Sequence, residues 1–449
     1  MNEKPIFVFY ILLFLAAAIT LAFFQPHVDT PPLYANPPDE HAKFLIPRYI
    51  CEHGTLPGGY EEEIRLEGYG FSYAFYNVFP FIVSGYFMRL VSVFNNSEQA
   101  LLYAARSISI ISGLLMALVV YLLSRKLFDD RRFAWLFCFL VMFLPQQLFM
   151  HSYVNNDSMT LLSTAMMVYA WVSIKDEGYR LKNMLFLSGG IIICALSYYN
   201  AYAFILSSIL LFFYSFISKQ EGRFHYDWKE MLLKGSFIGG LVLLGIAWWF
   251  IRSYRLHGGD IIGFRSRDAM ALLYGNPHYF DTYAERGYSI GQMLMMSDFI
   301  PKTLQSFIAA YGSMAMFANV WMYRLYGLLL GLGVACFICF KNRFAKERGF
   351  NALFHFNMVF CLMTPLFLLI VYAHGVDYQA QGRYLLPGVI PLMYYVAAGF
   401  ERLARFLGAQ YLHGRIMTNM LIISVDVFIV ACLLWMVYRV GLPVYWGLM

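Results

Sequence analysis

Long apolar runs recur along almost the whole chain, and they constrain its fold more than any other feature. A helix that crosses a bilayer needs about 20 consecutive apolar residues. Such runs predict eleven membrane spans, at 5–24, 107–124, 133–150, 158–174, 184–198, 200–217, 231–251, 323–340, 352–373, 386–400 and 419–438. Hydrophobic residues make up 60% and charged residues 13% of the sequence, whereas soluble domains have about 45–50% and about 25%. The predicted fold class is an all-α polytopic membrane protein.

The runs divide a single integral membrane domain, residues 1–449, into five parts. These are the first span (5–24), a first external loop (25–106), a transmembrane core (107–251), a second external loop (252–322) and C-terminal spans (323–449). The apolar stretch 71–94 is broken by Pro80 and Gly85, and a span there would invert every later loop. We therefore interpret 71–94, and likewise 289–322, as helices that lie in or re-enter the interface.

Lysine and arginine in the short loops predict the orientation, because such loops are basic on the cytoplasmic side. The basic residues fall in every second loop: Arg125, Lys126, Arg131, Arg132; Lys175, Arg180, Lys182; Lys219, Arg223, Lys229; Lys341, Arg343, Lys346, Arg348; Arg402, Arg405, Arg415. This places the N-terminus in the cytoplasm of a multi-pass cell-membrane protein and the C-terminus outside. Acids gather in the opposite loops: Asp39, Glu40, Glu52, Glu61, Glu62, Glu63, Glu67, Glu98, Asp157, Asp260, Asp268, Asp281, Glu285, Asp298 and Asp377. The net charge of +6 is too small and dispersed to indicate nucleic-acid binding.

The first candidate site follows the first span, at Asn36-Pro37-Pro38-Asp39-Glu40-His41-Ala42-Lys43-Phe44. The prolines predict a helix start with Asp39 at the N-cap position. Adjacent carboxylates there can act as a general base or hold a divalent cation such as Mg²⁺ or Mn²⁺. Lys43 follows one helical turn after Asp39 on the same face, where it suits a phosphate. The alternative is helix capping with a surface ion pair.

Two further polar stretches lie at outer ends of predicted spans. The turn His151-Ser152-Tyr153-Val154-Asn155-Asn156-Asp157-Ser158 offers Asp157 as a second acid, or simply as a helix cap. The stretch His374–Pro387 places Arg383 at the mouth of a span, and Arg106 lies at another. Arginine suits phosphate, but it can also extend toward lipid headgroups. P-loop, G-x-S-x-G and H-E-x-x-H motifs are absent from the sequence.

In combination these motifs resemble those of GT-C glycosyltransferases, in the branch of the protein O-mannosyltransferases and the lipid A aminoarabinose transferase. The similar stretches are Asp39-Glu40 after the first span, Ala104–Ser109 through Leu122–Phe128, Leu144-Pro145 through Asn156-Asp157, and Gly382-Arg383-Tyr384-Leu385-Leu386-Pro387. The resemblance covers roughly residues 1–175 and 374–400. It implies a GT-C-like fold and transfer of a sugar, with inversion, from a polyprenyl-phosphate donor to a hydroxyl of a cell-envelope glycan, lipid or protein at the outer face.

The resemblance also implies roles for individual residues. Asp39 would be the general base, and Glu40 and Asp157 would orient the site or help hold a cation, if one is used. The expected phosphate-binding residues are Lys43, Arg106, Arg383 and Tyr384; those expected to shape the site or meet the acceptor are His41, Asn155 and Asn156. The alternative is a flippase or transporter of lipid-linked sugars, whose charges and broken helices usually lie near the midplane. In this sequence the candidate charged residues gather instead at the predicted outer face of the membrane.

Overall fold

The computed structural model describes residues 3–26, 28, 30–31, 33–220, 223–276, 282–340, 352–411 and 413–445. The described chain is mostly helical, which confirms the predicted all-α class. The predicted basic residues Lys341, Arg343, Lys346 and Arg348 and the predicted external Asp281 lie outside the described residues.

The helices, in chain order, fall into two halves. The first half contains α1 (Lys4–Phe24), α2 (Glu40–His53), α3 (Phe79–Ser92), α4 (Glu98–Leu127), α5 (Arg131–Met142), α6 (Pro145–Met150), α7 (Asp157–Glu177), α8 (Leu181–Ser197) and α9 (Tyr202–Tyr214). The second contains α10 (Trp228–Leu256), α11 (Phe264–Tyr274), α12 (Ile290–Met296), α13 (Phe299–Ile308), α14 (Val320–Cys339), α15 (Ala352–Gly375), α16 (Val389–Gln410), α17 (Gly414–Trp435) and α18 (Leu442–Tyr445). Two antiparallel hairpins pair β1 (Ile217–Gln220) with β2 (Arg223–Tyr226) and β3 (Ala310–Tyr311) with β4 (Met316–Phe317).

Among the described residues, six segments are long and apolar enough to cross a membrane: α1, α4, α10, α14, α15 and Gly414–Tyr445, which runs from α17 to α18. Three shorter apolar helical segments join them: α3, α8 and Tyr199–Tyr214, which includes α9. The chain is thus a multi-pass membrane protein. Each predicted span overlaps a helix, but the count of eleven spans, like the division into external and cytoplasmic parts, stays a prediction.

The predicted span 133–150 is not one continuous helix. It breaks between α5 and α6, where Leu144 adopts φ −59° and ψ 120° ahead of Pro145. A proline disfavours helical geometry in the residue before it and has no N–H to continue the hydrogen-bond ladder. The separation of the predicted spans 184–198 and 200–217 is observed, because α8 ends at Ser197 and a short 3₁₀ helix leads into α9.

The stretch 71–94 contains a helix that runs through the glycine expected to interrupt it. Pro80 lies in the first turn of α3, where a missing N–H costs nothing, and Gly85 lies in its interior. A Cβ on Gly85 would lie 2.6 Å from Cβ of Ile50 in α2. Gly85 therefore lets α2 and α3 pack closely, and this fixes the helix that begins just after Asp39. Interfacial placement of 71–94 and 289–322 stays a prediction.

The largest hydrophobic core is built mainly by α1, α4, α5, α7 and α16. The helix α5 is buried on all sides, which is typical of a central helix, and from Phe133 to Met142 every side chain is buried. By contrast, α10 buries few of its side chains and lies at the edge of the bundle. The end of α1, the starts of α2, α4 and α7, and the end of α15 surround the region in which the predicted site residues lie.

Candidate active site

Glu40 and Arg106 form a fully buried ion pair behind the start of α2. Nε of Arg106 donates to Oε1 of Glu40 at 2.9 Å, and Nη2 donates to Oε2 at 2.6 Å. The remaining N–H groups of Arg106 donate to the carbonyls of Ala22, Gln25 and Pro26. The pair thus ties the end of α1 to α2 and α4. Since all five N–H groups of an arginine are used, this arrangement leaves none for the phosphate that the sequence analysis assigned to Arg106.

Glu40 also has a third hydrogen-bond partner besides the two donors of Arg106. Its Oε1 also accepts a hydrogen bond from the backbone N–H of Val154 at 2.8 Å, and only 1% of the residue is exposed. Glu40 therefore holds the turn before α7 against α2. This geometry favours a structural function over the orienting or cation-binding role expected from the motif.

Asp39 occupies the N-cap position of α2, as predicted, but it does not cap the helix. Its backbone is left-handed (φ 60°), and its carboxylate makes no hydrogen bond to the first turn. Instead, Oδ2 accepts a hydrogen bond from Nη2 of Arg383. About a third of the Asp39 side chain stays exposed, against 1% for Arg383. The strained backbone therefore turns the carboxylate away from its own helix and toward a buried arginine.

Lys43 and Asp157 supply a second opposite-charge pair beside the first. Nζ of Lys43 lies 3.8 Å from Oδ2 of Asp157, and both side chains are almost fully buried. Asp157 is the first residue of α7. The separate helices α2 and α7 thus bring the two predicted acids Asp39 and Asp157 into one cluster with Lys43 and Arg383.

Arg383 connects this cluster to the segment that follows α15. Its Nη2 also donates to the hydroxyl of Tyr384 at 3.1 Å, and that hydroxyl donates to Oε1 of Gln379 at 2.6 Å. Gln379 in turn donates to Asp377. Nε of Arg383 is buried without a hydrogen-bond partner among the described residues. A buried guanidinium with one unused donor is suited to binding a further anionic oxygen.

Burial and neighbouring charge act in opposite directions on these groups. Burial alone would raise the pKa of Asp39, but the charges of Arg383 and Lys43 and the hydrogen bond from Arg383 outweigh it, so that pKa is lowered. Burial lowers the pKa of Lys43 despite the carboxylates around it. The pKa of Asp377 is raised, chiefly by burial. Asp39 is therefore ionised at neutral pH.

A cavity of about 320 Å³ opens beside the charged cluster. Asp39, Lys43 and Tyr384 line its charged end, and Leu368, Leu369 and Val371 of α15 line an apolar wall. The remaining lining residues are Tyr73, Tyr76, Asn77, Phe81, Asn156, Ser197, Tyr198, Tyr199, Asn200, Tyr372, Val376 and Gln379. The cavity is thus charged at one end, apolar at the other and bordered by tyrosine and amide side chains.

The other predicted site residues take different positions. Asn156 lines the cavity, whereas Asn155 is buried and bonds to Met150, Tyr153 and Ser158 within its own turn. His41 is exposed and is not among the residues that line the cavity. The proposed roles of these residues stay predictions.

Sequence reasoning missed most of the cavity wall. The tyrosines Tyr73, Tyr76, Tyr198, Tyr199 and Tyr372 lie outside the motifs singled out from the sequence, and so does Asn77. One signal was present, because the polar group Tyr198-Tyr199-Asn200 interrupts an apolar run. Nδ2 of Asn200 donates to the carbonyl of Tyr384 at 2.7 Å, so this interruption supports the segment that carries Arg383.

The three carboxylates expected to hold a cation do not form a metal site in this geometry. Within the described ranges, one group of at least three candidate ligands has its atoms within 4.8 Å of one another, and it is the exposed trio Glu52, His53 and Glu63. Both oxygens of Glu40 accept hydrogen bonds from Arg106, and Lys43 lies beside Asp157. The residues therefore do not fit a divalent cation without rearrangement.

Comparison with known proteins places the chain among membrane glycosyltransferase folds. Residues 63–258 match the model of the family described as dolichyl-phosphate-mannose-protein mannosyltransferase. The apo oligosaccharyltransferase of Archaeoglobus fulgidus is 15% identical over 98% of this chain and 56% of its own, with a TM-score of 0.55. The chain has a GT-C fold. This confirms the resemblance that the motifs indicated.

Two further solved structures match this chain over almost its whole length. Oligosaccharyltransferase AglB of A. fulgidus, in complex with an inhibitory peptide and a dolichol-phosphate, has a TM-score of 0.54 at 16% identity over 99% of this chain. ArnT from Cupriavidus metallidurans, bound to undecaprenyl phosphate, is 13% identical over 99% of this chain and 74% of its own. Its TM-score of 0.44 is too low to support a common fold. The chain spans 56% of the length of AglB, and no curated protein matches it.

Proposed function

We propose that this GT-C chain is a glycosyltransferase that moves a sugar from a polyprenyl-phosphate donor to a hydroxyl acceptor of the cell envelope. One observation carries the proposal. Two cations, Lys43 and Arg383, pair with two carboxylates, Asp157 and Asp39, and Lys43 and Asp39 of this cluster line the polar end of a cavity whose other wall is apolar. Such an arrangement suits an amphiphile with a charged head.

The apolar wall supports a lipid-linked donor. It is formed largely by α15, a helix apolar enough to cross a membrane. Its residues Leu368, Val371 and Tyr372 line the cavity, yet each has about two-fifths of its surface exposed. These side chains face both the cavity and the outer surface of the helix. They would therefore border a lateral opening between the lipid bilayer and the cavity. A polyprenyl chain would lie in this opening with its phosphate at the charged end.

The cations of the charged cluster are suited to stabilise the phosphate that leaves the donor sugar. A phosphate that departs from a sugar carbon gains negative charge, and donors already in place stabilise that charge in the transition state. Lys43 lines the cavity, and the buried Arg383 donates to Asp39 and Tyr384, which also line it, while its Nε has no partner among the described residues. We assign both to the phosphate, with Tyr384 holding Arg383.

Asp39 is suited to act as the general base on the acceptor hydroxyl. Its ionised carboxylate would take the proton of the acceptor hydroxyl while the hydroxyl oxygen attacks the anomeric carbon. The bond between that carbon and the phosphate oxygen breaks at the same time, and the phosphate keeps the electron pair. Attack on the face opposite the leaving phosphate inverts the anomeric centre. Asp157 would keep Lys43 oriented.

The distribution of charge supports an extracytoplasmic site. Arg106 lies in the first third of α4, on the side of the charged cluster, whereas Arg125 and Lys126 lie in its last turn. Arg131 and Arg132 begin the next helix at that same far end. By the positive-inside rule this basic end faces the cytoplasm, together with the N-terminus of α1.

The comparisons point to the same chemistry. The matching family is named for a dolichyl-phosphate-mannose donor, and a solved structure of AglB, which shares the fold, holds a dolichol-phosphate. We extend the donor class, a polyprenyl-phosphate sugar, to this chain. The assay below tests which sugar and which acceptor it uses.

The test is sugar transfer by purified protein in proteoliposomes with a panel of labelled polyprenyl-phosphate sugars and envelope acceptors. Asp39→Asn should lower the transfer rate about 100-fold or more, because the amide cannot accept the proton. Asparagine tolerates the left-handed backbone of position 39, so the variant should fold. The matched control is Glu52→Gln, an exposed carboxylate on the same helix. Normal transfer by Asp39→Asn, or movement of the lipid across the bilayer without product, would contradict the proposal.

A further inference from the structure

A small β-hairpin reaches from the second predicted external loop to the segment that precedes Asp39. Strands β3 and β4 pair Ala310 with Phe317 and Tyr311 with Met316. The turn between them contacts residues 34–36. Backbone N–H of Ser313 donates to the carbonyl of Tyr34 at 2.9 Å, and its Oγ donates to the carbonyl of Asn36 at 2.9 Å.

Gly312 makes this contact sterically possible. Its backbone is left-handed (φ 60°), and a Cβ at this position would lie 2.3 Å from the carbonyl oxygen of Tyr34. Backbone atoms cannot move aside as a flexible side chain can. The turn therefore fits against the short 3₁₀ helix Leu33–Ala35 with no room for a side chain at position 312.

The base of the hairpin is fixed to the buried core. The N–H of Ala310 donates to Oε1 of the buried Gln146 at 2.7 Å, and the ring of Tyr311 stacks on Phe149 with centroids 4.6 Å apart. The hydroxyl of Tyr323 bridges the two ends of the hairpin, accepting from Ala318 and donating to Ala309. The turn thus has a rigid support.

Backbone strain coincides with this contact. Among the described residues, two that are not glycine have positive φ, and they are Asp39 and Met314. Met314 lies in the hairpin turn, two residues after the glycine that contacts Tyr34. Strained residues persist where the surrounding structure holds them, and they tend to mark functional positions. The hairpin and the two prolines before Asp39 would supply that restraint.

We propose that Gly312 and Ser313 are positioning residues that hold the backbone before Asp39, so that its carboxylate points into the cavity. The inference rests on the proposed function, in which Asp39 is the base. Neither residue touches the substrate in this account. They act through the carbonyls of Tyr34 and Asn36.

The experiment compares Gly312→Ala with Gly287→Ala. Both glycines belong to the second predicted external loop and have positive φ, but an added Cβ at Gly287 contacts nothing within 4 Å among the described residues. In a second pair, Ser313→Ala removes the hydroxyl that contacts Asn36 from the hairpin turn. Its control, Ser289→Ala, removes a hydroxyl from the distant N-cap of α12. If Gly312→Ala does not fold, Ser313→Ala and its control provide the same test.

Two readouts separate positioning from a merely structural role. Hydrogen exchange of the Asn36 and Glu40 amides, measured without ligand, should quicken about tenfold in the turn variants and stay unchanged in the controls. With dolichyl-phosphate mannose as the donor probe, kcat should fall about 10- to 100-fold while KM changes less than about twofold. The acid limb of kcat should also move to higher pH, since a displaced Asp39 loses Arg383.

Unchanged exchange, or faster exchange with unchanged kcat, would overturn the positioning role. A fall in kcat matched by an equal rise in KM would also overturn it, because that pattern means lost donor binding. The exchange arm needs no transfer activity. If wild-type protein transferred no sugar from any donor, the proposed function would fail while the exchange result still tested the hairpin contact.

Discussion

Arg383 and Asp39 lie 344 residues apart in the chain and form an ion pair at the charged end of the cavity. The two residues belong to distant parts of the sequence, since Asp39 precedes α2 and Arg383 follows α15. In the proposed reaction one serves the acceptor and the other the leaving phosphate. Their contact means that the two halves of the chemistry are adjacent before any substrate is bound.

The pH dependence of transfer should report the charges around Asp39. Arg383 and Lys43 hold its pKa below the ordinary value of 3.8, so the ionised form persists at neutral pH and is lost only as the pH falls through the lowered pKa. Lys43→Met removes one of these charges, and the acid limb of kcat/KM should move to higher pH while transfer slows. Lys302→Met, which alters an exposed lysine of α13, is the control. An acid limb that stays in place would show that Lys43 does not act on the base.

Loss of Glu40 should destabilise the protein more than loss of a surface acid. Glu40→Ala leaves the buried guanidinium of Arg106 without its carboxylate, which costs about 3–5 kcal/mol in the free energy of unfolding. Glu52→Ala breaks an exposed pair with Arg48 and should have little effect. Denaturant unfolding in detergent micelles measures both.

A double replacement completes this test. Glu40→Met with Arg106→Met removes both buried charges, and most of the lost stability should return. If Glu40→Ala were as stable as the parent protein, the structural role of the pair would be refuted. A role of Arg106 at the donor phosphate would then regain support.

Removal of divalent cations should leave transfer largely intact. Both oxygens of Glu40 accept hydrogen bonds from Arg106, and Lys43 and Arg383 lie against the other two carboxylates. We expect the rate in EDTA to stay within about twofold of the rate in Mg²⁺ or Mn²⁺, because Lys43 and Arg383 already supply two positive charges beside the proposed phosphate site. Loss of activity in EDTA, with recovery on adding one metal, would show that the carboxylates rearrange around a cation.

The sequence predicted the helices well because hydropathy is a local property. The limits of α1 and α15 follow directly from their apolar runs, and the break after Ser197 follows from polar residues inside a run. The break before Pro145 was missed because the run remains apolar across it. Gly85 was read as an interruption, whereas its partner Ile50 lies in another helix and gives it a packing role.

The site was predictable only in part. Asp39, Asp157 and Arg383 were singled out from their motifs, and the structure brings them together. Arg106 and Arg383 could not be told apart, since both lie at outer ends of predicted spans. They differ in their tertiary contacts, because Arg106 binds Glu40 and three carbonyls, while Arg383 keeps one donor unused within the described part of the chain. The tyrosines of the cavity wall come from distant segments that no single run of sequence connects.

Native mass spectrometry of the purified protein tests the central claim most directly. Protein extracted from its own membrane, or supplied with undecaprenyl phosphate, should carry one polyprenyl phosphate. Asp39→Asn should keep this lipid, and Arg383→Gln should lose most of it, since the phosphate is assigned to the arginine and not to the base. Retention of the lipid by Arg383→Gln, or failure of the parent protein to bind any polyprenyl phosphate, would contradict the account.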